Sequence, residues 1–222
     1  MTETTPVKAL ILDMDGTVTD NYHMVWDSIS DVMQRFYGIV LTKEDILAGC
    51  GKAVRESATD WSNKYGAAVD LDLITRENWE RQRRFIPNLK PNPGLIALLE
   101  DLTKEHGMPI AIGTSSKTPR TNDILSQLKI RDYMSAIVTA DDVKHHKPAP
   151  DIFLEAARRL GVKPEEALAI DDAAAGIEAA NRARMRSIGY LTPYNTREEL
   201  AQANGIIKSF KELSYDRIMR IR

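Results

Sequence analysis

Residues 7–20, VKALILDMDGTVTD, decide the fold of this 222-residue chain. The apolar run from Val7 to Leu12 has the composition of a strand that is buried on both faces, as in a parallel sheet. It ends on two aspartates, Asp13 and Asp15, which are separated by one residue. Carboxylates this close repel one another, and burying either is costly unless a positive group compensates. The stretch therefore predicts a cationic partner that the rest of the chain must help to hold.

Alternating strands and helices follow from Pro93 onward. Four short apolar runs each end beside polar residues, a weaker sixth strand begins at Gly205, and amphipathic helical patterns lie between them. This alternation is typical of an α/β fold of Rossmann type, a parallel sheet with helices on both faces. The four runs are PIAIGTSS (109–116), AIVTADD (136–142), ALAIDD (167–172) and RSIGYL (186–191).

Residues 18–86 break the alternation. They are rich in Trp, Arg, Asp and Glu, have helical patterns broken at glycines, show no convincing strand, and contain all three tryptophans of the chain. We therefore predict an α/β catalytic core of residues 1–17 and 87–222, with residues 18–86 inserted as a helical cap domain. The tryptophans are expected in the interior of the cap. The connections near residues 16–20 and 85–92 are its expected hinges.

The composition argues against several classes of protein. A net charge of -2 and a pI near 6.1 argue against nucleic acid or an anionic membrane as the main partner. No apolar run approaches the roughly 18–20 residues that cross a bilayer, and no cleavable signal sequence is visible. The single cysteine, Cys50, rules out an intrachain disulfide and has no nearby base that would make it a nucleophile. We expect a cytoplasmic protein, monomeric or homodimeric.

Polar side chains follow four of the predicted strands. In a parallel sheet the carboxyl ends of the strands share one edge, where such folds bind ligands. Residues that are far apart in the chain are therefore expected to meet there. They are Asp13 and Asp15, Thr114 and Ser115, Lys147, and Asp171 with Asp172.

This set of groups suits a divalent cation and a phosphate. Carboxylate oxygens without a histidine or cysteine cluster are typical ligands of Mg2+, which keeps open positions that phosphate oxygens fill. A magnesium ion between Asp13 and the Asp171–Asp172 pair would remove the repulsion between the carboxylates. Lys147 and Thr114 would then contact the phosphoryl group, with Ser115 as the less favoured hydroxyl.

The positions of the two first aspartates suggest their roles. Asp13 would attack phosphorus in line and form an aspartyl-phosphate. Asp15 would protonate the leaving alcohol and later accept a proton from water, which requires that it start protonated. We expect a crowded acidic site to favour that state. Positioning and charge neutralisation dominate phosphoryl transfer, so Mg2+ and Lys147 would supply most of the catalysis.

Four segments, in this order and spacing, resemble the motifs of the haloacid dehalogenase-like hydrolase superfamily. The resemblance is to its phosphatase and β-phosphoglucomutase-like branch, in which a helical cap follows the first motif. The second aspartate of the first motif favours phosphate over halide as the group transferred. The segments are DMDGT (13–17), IGTSS (112–116), KPAPDIF (147–153) and IDDAAAGI (170–177).

The resemblance implies a role for each core residue. It makes Asp13 the nucleophile and a metal ligand, and Asp15 the acid/base whose backbone carbonyl also reaches the metal. It places the phosphate between Thr114 and Lys147, and completes the magnesium site with Asp171 and Asp172.

Cap residues are harder to assign. The segment GCGKAVR (49–55) resembles, in position, the cap loop that inspects substrate, which makes Lys52 and Arg55 candidates for substrate binding. The alternative is a glycine-rich helix break with solvated charges. The arginines of the RQRR run are expected on a solvated helix face; they are Arg81, Arg83 and Arg84.

The function predicted is a Mg2+-dependent phosphatase that hydrolyses a small phosphomonoester, a sugar phosphate or a nucleotide-like ester. The alternative with the same fold is a phosphomutase of β-phosphoglucomutase type, in which the aspartyl-phosphate passes to sugar rather than to water. A receiver-type phosphorylation switch also uses acidic residues, a hydroxyl and a lysine at strand ends. The Asp13–Asp15 pair, the late acidic pair and the long insert argue against it.

Overall fold

A six-stranded parallel sheet forms the centre of the computed structural model, which describes residues 5–49 and 52–221. Its order is β3-β2-β1-β4-β5-β6, and every neighbouring pair of strands is parallel. Six predicted strand positions and the α/β class are confirmed, with boundaries that differ by a few residues. The strands are β1 (Ala9–Leu12), β2 (Ile110–Gly113), β3 (Ala136–Val138), β4 (Ala167–Asp171), β5 (Arg186–Tyr190) and β6 (Gly205–Ile207).

The first strand, β1, lies in the middle of this sheet. Leu10 is in register with Ile110 of β2 on one side and with Leu168 of β4 on the other. Leu10 and Leu12 point into one apolar cluster and Ile11 into a second cluster on the opposite face. Because both faces are buried, β1 is apolar at every position instead of alternating with polar residues.

In the described residues, the first four helices after β1 form the helical cap, which contains no strand there. The cap has a separate apolar cluster that includes Val32, Ala58, Trp61 and Ile74. An inserted cap is therefore present, whereas its limits at residues 18 and 86 stay a prediction. The helices are α1 (Tyr22–Tyr37), α2 (Lys43–Ala48), α3 (Val54–Tyr65) and α4 (Leu71–Gln82).

Two expectations about cap side chains need correction. Trp61 lies in the cap interior, but Trp26 and Trp79 are half-buried and line a cavity that also reaches core residues. Arg83 is exposed as expected, whereas the side chain of Arg81 is only 13% exposed. Arg81 pairs with carboxylates of both α1 and α4, namely Asp31 and Glu77, so it joins two cap helices instead of facing solvent.

In the described part of the chain, five helices complete the core around the sheet. In α7 the residues Ile152, Phe153, Ala156 and Ala157 are buried, which gives the helix one apolar face against the sheet. This helix ends at Gly161 as predicted, with the glycine in the left-handed conformation at φ 70°. The core helices are α5 (Leu95–Glu100), α6 (Thr118–Gln127), α7 (Asp151–Leu160), α8 (Ala174–Arg182) and α9 (Tyr215–Met219); a π-helical turn, Asp101–Glu105, extends α5.

None of the helices in the described ranges is both long and apolar enough to cross a membrane.

A buried carboxylate, Asp45, holds the start of α2 and the end of α3 together. Thr42 and Asp45 form a reciprocal capping box, and the side chains of Lys64 and Tyr65 donate hydrogen bonds to the same carboxylate. Burial opposes ionisation of Asp45, but the hydrogen bonds from Lys64, Tyr65 and Thr42 outweigh it and lower its pKa. The ionised Asp45 is therefore a structural element of the cap.

The substitution Asp45→Asn should destabilise the cap at neutral pH by about 1–3 kcal/mol, because it replaces a hydrogen-bonded buried charge. A lowered folded-state pKa stabilises the protein above the unfolded value of about 3.9 and loses that effect as pH falls. The difference from wild type should therefore shrink as the pH approaches 3. Unfolding followed by tryptophan fluorescence reports on the cap, which contains every tryptophan. The control is Asp27→Asn, at an exposed position of α1. Equal stability of wild type and Asp45→Asn at pH 7 would contradict the prediction.

Candidate active site

A buried lysine joins three strand ends at the carboxyl edge of the sheet. The Nζ of Lys147 donates to Asp13 Oδ1 at 2.5 Å, to Asp171 Oδ2 at 2.8 Å and to the carbonyl of Gly113 at 3.0 Å. Only 3% of Lys147 is exposed. Burial works against its charge, but the two carboxylates outweigh that effect and raise the pKa of Lys147. Lys147 is therefore an ammonium ion, and it is a cationic partner of Asp13.

Three buried carboxylates surround this one ammonium. Asp13, Asp171 and Asp172 each offer an oxygen within 4.8 Å of the other two. Burial raises the pKa of Asp13 against the pull of Lys147, with Asp171 and Asp172 adding to the rise. Burial and the neighbouring Asp171 raise the pKa of Asp172 to about 7. These shifts show that the carboxylates are crowded and short of positive charge.

The cluster fits a hard divalent cation. All its ligand atoms would be carboxylate oxygens, which Mg2+ and Ca2+ prefer. With every group ionised, three carboxylates and one ammonium leave two excess negative charges, which one divalent ion would neutralise. The predicted metal ligands Asp13, Asp171 and Asp172 are thus brought together.

Hydrogen bonds orient two carboxylates of the cluster. Tyr22 Oη donates to Asp172 Oδ2 at 2.6 Å and Thr17 Oγ1 donates to Asp172 Oδ1 at 3.1 Å. The backbone N–H of Ala173 donates to Asp171 Oδ1 at 2.9 Å. Sequence reasoning missed Tyr22 and Thr17, since a hydroxyl near a strand end carries no signal of its partner.

Two glycines leave room for these carboxylates. A Cβ on Gly176 would lie 1.9 Å from the carboxyl group of Asp171. A Cβ on Gly16 would lie 2.3 Å from Asp172 Oδ2, and Gly16 also adopts φ +86°, which other residues rarely do. The glycines of the first and fourth motifs therefore serve the acidic cluster directly.

Asp15 lies in a different electrostatic environment from Asp13. Arg120 binds it in a bidentate manner, with Nη2 at 2.6 Å from Oδ1 and Nη1 at 2.7 Å from Oδ2. The Ser116 hydroxyl donates to Oδ2 at 2.7 Å, and the side-chain amide of Asn21 donates to Oδ1. Burial favours the neutral acid, but the charge and hydrogen bonds of Arg120, with those of Ser116 and Asn21, lower the pKa of Asp15.

The expectation that acidic crowding keeps Asp15 protonated is therefore wrong for this arrangement. The crowding is confined to Asp13, Asp171 and Asp172, whereas Asp15 is surrounded by donors and is a carboxylate.

Arg120 also connects Asp15 to the cap. Its Nε donates to Oε1 of Gln82, the last residue of α4, at 2.7 Å. Gln82 is buried, and Arg120 lies near the start of α6, four residues after Ser116. Sequence reasoning missed Arg120. The only available signal was its position soon after the second motif, where one turn of helix brings it back beside Ser116.

The predicted phosphate-binding hydroxyls lie beside the cluster. Thr114 is buried, and its Oγ1 accepts a hydrogen bond from the backbone N–H of Ser116 at 3.1 Å. The Ser115 hydroxyl oxygen is buried and has no partner among the described residues. Both residues line the same cavity as Asp13 and Lys147. The preference for Thr114 over Ser115 stays a prediction.

A cavity of about 610 Å³ extends from the carboxylates into the cap. Its size is in the range of small-molecule binding sites. Lys52 and Arg55 line the cap side of the cavity, and each is in an ion pair, Lys52 with Asp60 at 3.0 Å and Arg55 with Asp72. Their predicted role in substrate binding stays a prediction. The neighbouring Cys50 lies outside the described residues.

Comparison with known proteins identifies the family. A family model described as haloacid dehalogenase-like hydrolase matches residues 10–190, well over half of the chain. The chain belongs to the haloacid dehalogenase-like hydrolases. The resemblance that the four motifs suggested is thereby confirmed.

The haloacid dehalogenase-like relatives of this chain include phosphatases and mutases. A fructose-1-phosphate phosphatase of Escherichia coli is 35% identical over 185 residues, covering 81% of this chain and 94% of that protein. A β-phosphoglucomutase of Bacillus subtilis is 36% identical over 200 residues, covering 82% of this chain and 83% of that protein. The crystal structure of a β-phosphoglucomutase from Clostridium difficile superimposes with a TM-score of 0.85 at 28% identity, covering 96% of this chain and 95% of that one.

The acidic cluster predicts an unusual dependence of stability on pH. Asp172 has a folded-state pKa of about 7, above the unfolded value of about 3.9. A raised folded-state pKa stabilises the protein at low pH and loses that effect as pH rises through the folded value. The contribution of Asp172 should therefore make the melting temperature of the metal-free protein higher at about pH 5 than at about pH 8.

Mg2+ should raise the melting temperature more at the higher pH, where the carboxylates are ionised. Asp172→Asn should weaken both the pH dependence and the Mg2+ effect, which differential scanning fluorimetry measures. A melting temperature that Mg2+ leaves unchanged at both pH values would contradict the assignment of a cation site.

Proposed function

We propose that this chain is a Mg2+-dependent phosphatase that hydrolyses a small phosphomonoester through an aspartyl-phosphate on Asp13. The supporting observation is the buried Lys147, which faces Asp13 and Asp171 at the inner end of a cavity shared by core and cap. A cation on Asp13, Asp171, Asp172 and the Asp15 carbonyl would neutralise the phosphoryl oxygens and the carboxylates. The family and its sugar-phosphate relatives support the same activity.

The core residues would divide the reaction into two steps. The Asp13 carboxylate attacks phosphorus, forming a new P–O bond while the bond to the leaving oxygen breaks; Asp15 in its protonated form gives that oxygen a proton. A water then attacks phosphorus and gives a proton to the Asp15 carboxylate, which restores Asp13 and releases phosphate. Lys147, Thr114 and Ser115 hold the phosphoryl oxygens in both steps.

Asp15 is observed as a carboxylate held by Arg120, which is the charge state that the second step requires. Because the contact with Arg120 lowers the pKa of Asp15, it must loosen both for Asp15 to carry a proton in the first step and for Asp15 to accept one in the second. Because Arg120 also contacts Gln82 of the cap, the position of the cap would influence Asp15.

The cap would close over the substrate and exclude bulk water, with residues 18–86 moving as a unit on the two predicted hinges. Lys52 and Arg55 would lie at the substrate side of this unit. We further propose that the enzyme is cytoplasmic, acts as a monomer or homodimer, and uses neither nucleic acid nor membrane as a partner, which its net charge of -2 supports.

A phosphomutase is the second candidate, since a β-phosphoglucomutase is as similar to this chain as the fructose-1-phosphate phosphatase is. A receiver-type switch is no longer a candidate, because the chain belongs to a hydrolase family.

Asp13→Asn tests the proposed function. Wild type should release inorganic phosphate from members of a phosphomonoester panel only when Mg2+ is present, and the variant should release none above background. Matching melting temperatures of the two proteins show that the variant is folded. Conversion of one hexose phosphate isomer into another, without net phosphate release, would point to the mutase. Mg2+-independent release by both proteins would contradict the proposal.

Arg120→Met tests the environment of Asp15. Removing the cation and its hydrogen bonds should raise the pKa of Asp15. Because Asp15 acts in its protonated form in the first step, the basic limb of the kcat/KM profile should move up by about one pH unit or more. Arg120→Lys keeps the charge but loses the bidentate geometry and should shift the limb less. Arg83→Met, at an exposed position, is the control. Superimposable profiles for wild type and Arg120→Met would contradict the role of Arg120.

A further inference from the structure

Two cap helices present regular stripes of side chains to the cavity. On α1 the stripe contains Tyr22, Val25, Trp26 and Ile29, which recur at the i, i+3, i+4, i+7 spacing of one helix face. We call it the α1 wall. Its residues are apolar or aromatic, and Trp26 packs edge-on against Tyr194 with ring centroids 4.6 Å apart. The α1 wall is therefore a mainly apolar surface.

The stripe on α4 has the same spacing and a different chemistry. It contains Thr75, Asn78, Trp79 and Gln82, and we call it the α4 wall. Three of its four side chains end in hydroxyl or amide groups, and the fourth, Trp79, carries an indole N–H. A ligand between the two walls would thus meet an apolar surface on one side and amide and hydroxyl groups on the other.

Both walls begin at the catalytic carboxylates. Tyr22 at one end of the α1 wall donates to Asp172, and Gln82 at one end of the α4 wall accepts from Arg120, which holds Asp15. Seven residues of helix span about 10 Å, so each wall extends roughly that far from the carboxylates. This is the direction in which the leaving group of a phosphate ester bound at Asp13 would project.

Asn78 is the residue of the α4 wall with an unmet hydrogen bond. It is 3% exposed, and its Oδ1 is buried without a partner among the described residues. A buried amide oxygen in this state costs about 1–3 kcal/mol, and such groups in native proteins call for a functional explanation. Asn78 lines the cavity, so a rotation of its side-chain amide that turned this oxygen to the cavity would let a donor on a bound molecule remove this cost.

The cap supplies no unpaired cation to this space within the described residues. Its basic residues at the cavity are Lys52, Arg55 and Arg76, and each lies within ion-pair distance of a cap carboxylate. The core adds Arg120, which binds Asp15, and Lys117, which is exposed. Apart from Lys117 and Lys147, a second anionic group on the leaving side of a substrate would therefore meet only lysine and arginine side chains that are already paired, among the described residues that line the cavity.

We propose that Asn78 selects the leaving group: its Oδ1 accepts a hydrogen bond from the polar edge of a neutral ring whose apolar face packs on the α1 wall. This inference rests on the proposed function and narrows it. The substrate would be the phosphomonoester of a ring that carries O–H or N–H donors, rather than a phosphorylated acid or a bisphosphate.

Asn78→Leu removes the acceptor and keeps the branched shape of the side chain. Wild type should prefer a hexopyranose phosphate to 2-phosphoglycolate in kcat/KM. The variant should lose about 10- to 100-fold in kcat/KM for the hexose phosphate, mainly through KM. It should retain its activity on p-nitrophenyl phosphate, whose ring edge offers no donor. Its melting temperature should be unchanged or higher, because an unpaired polar group has been replaced by an apolar one.

Ser28→Ala is the matched control. Ser28 is on α1, is 2% exposed, and also has a buried hydroxyl oxygen without a partner among the described residues, but it does not line the cavity. The Ser28→Ala variant should have unchanged kcat/KM for the hexose phosphate and for p-nitrophenyl phosphate. If Asn78→Leu lost kcat/KM equally for the hexose phosphate and for p-nitrophenyl phosphate and also had a lower melting temperature, Asn78 would have a structural role and the proposal would be overturned.

Binding to the inert Asp13→Asn protein separates this inference from the proposed function. Calorimetry should show that adding Asn78→Leu to that protein raises the Kd of the hexose phosphate by about tenfold or more. An unchanged Kd would overturn the inference even if wild type is a phosphatase. A preference of wild type for 2-phosphoglycolate or a bisphosphate over every neutral ring ester would also overturn it. Absence of any hydrolysis would count against the proposed function, and the Kd comparison would still decide the role of Asn78.

Discussion

The ammonium of Lys147, held between the carboxylates of Asp13 and Asp171, is the interaction on which the site depends. Both carboxylates lie at the ends of neighbouring strands, β1 and β4, so the ion pair requires this pairing in the sheet. Buried ions are unfavourable unless they are paired, and here three carboxylates share one lysine. The apolar core on both faces of the sheet must offset that cost, and a divalent cation would relieve it.

Two aspartates separated by a single residue have opposite electrostatic environments. Burial and neighbouring carboxylates raise the pKa of Asp13, whereas Arg120, Ser116 and Asn21 lower that of Asp15. Carboxylates whose pKa values are pushed apart are suited to different chemical roles. The difference comes mainly from the groups that each side chain meets, since both residues belong to one short segment.

The helical cap contributes through its contacts with the core more than through its charges. Its basic residues at the cavity are neutralised by cap carboxylates, while Tyr22 and Gln82 reach the groups that hold Asp172 and Asp15. A movement of α1 or α4 would therefore change the surroundings of Asp172 and Asp15 as well as the walls of the cavity. In the proposed function, this would connect substrate enclosure with the protonation state of Asp15.

The amino-acid sequence by itself determined the parallel sheet, the inserted helices and the convergence of Asp13, Lys147 and Asp171. Apolar runs and strand-end motifs are local signals, and the shared edge of a parallel sheet follows from topology alone. Only the tertiary structure decided the contact of Arg120 with Asp15, the burial of Arg81, and the position of Trp26 and Asn78 at the cavity. Helical periodicity shows which residues share a face, but what that face meets depends on how one helix packs against another and against the sheet. Those contacts arise between distant segments, and no local pattern encodes them.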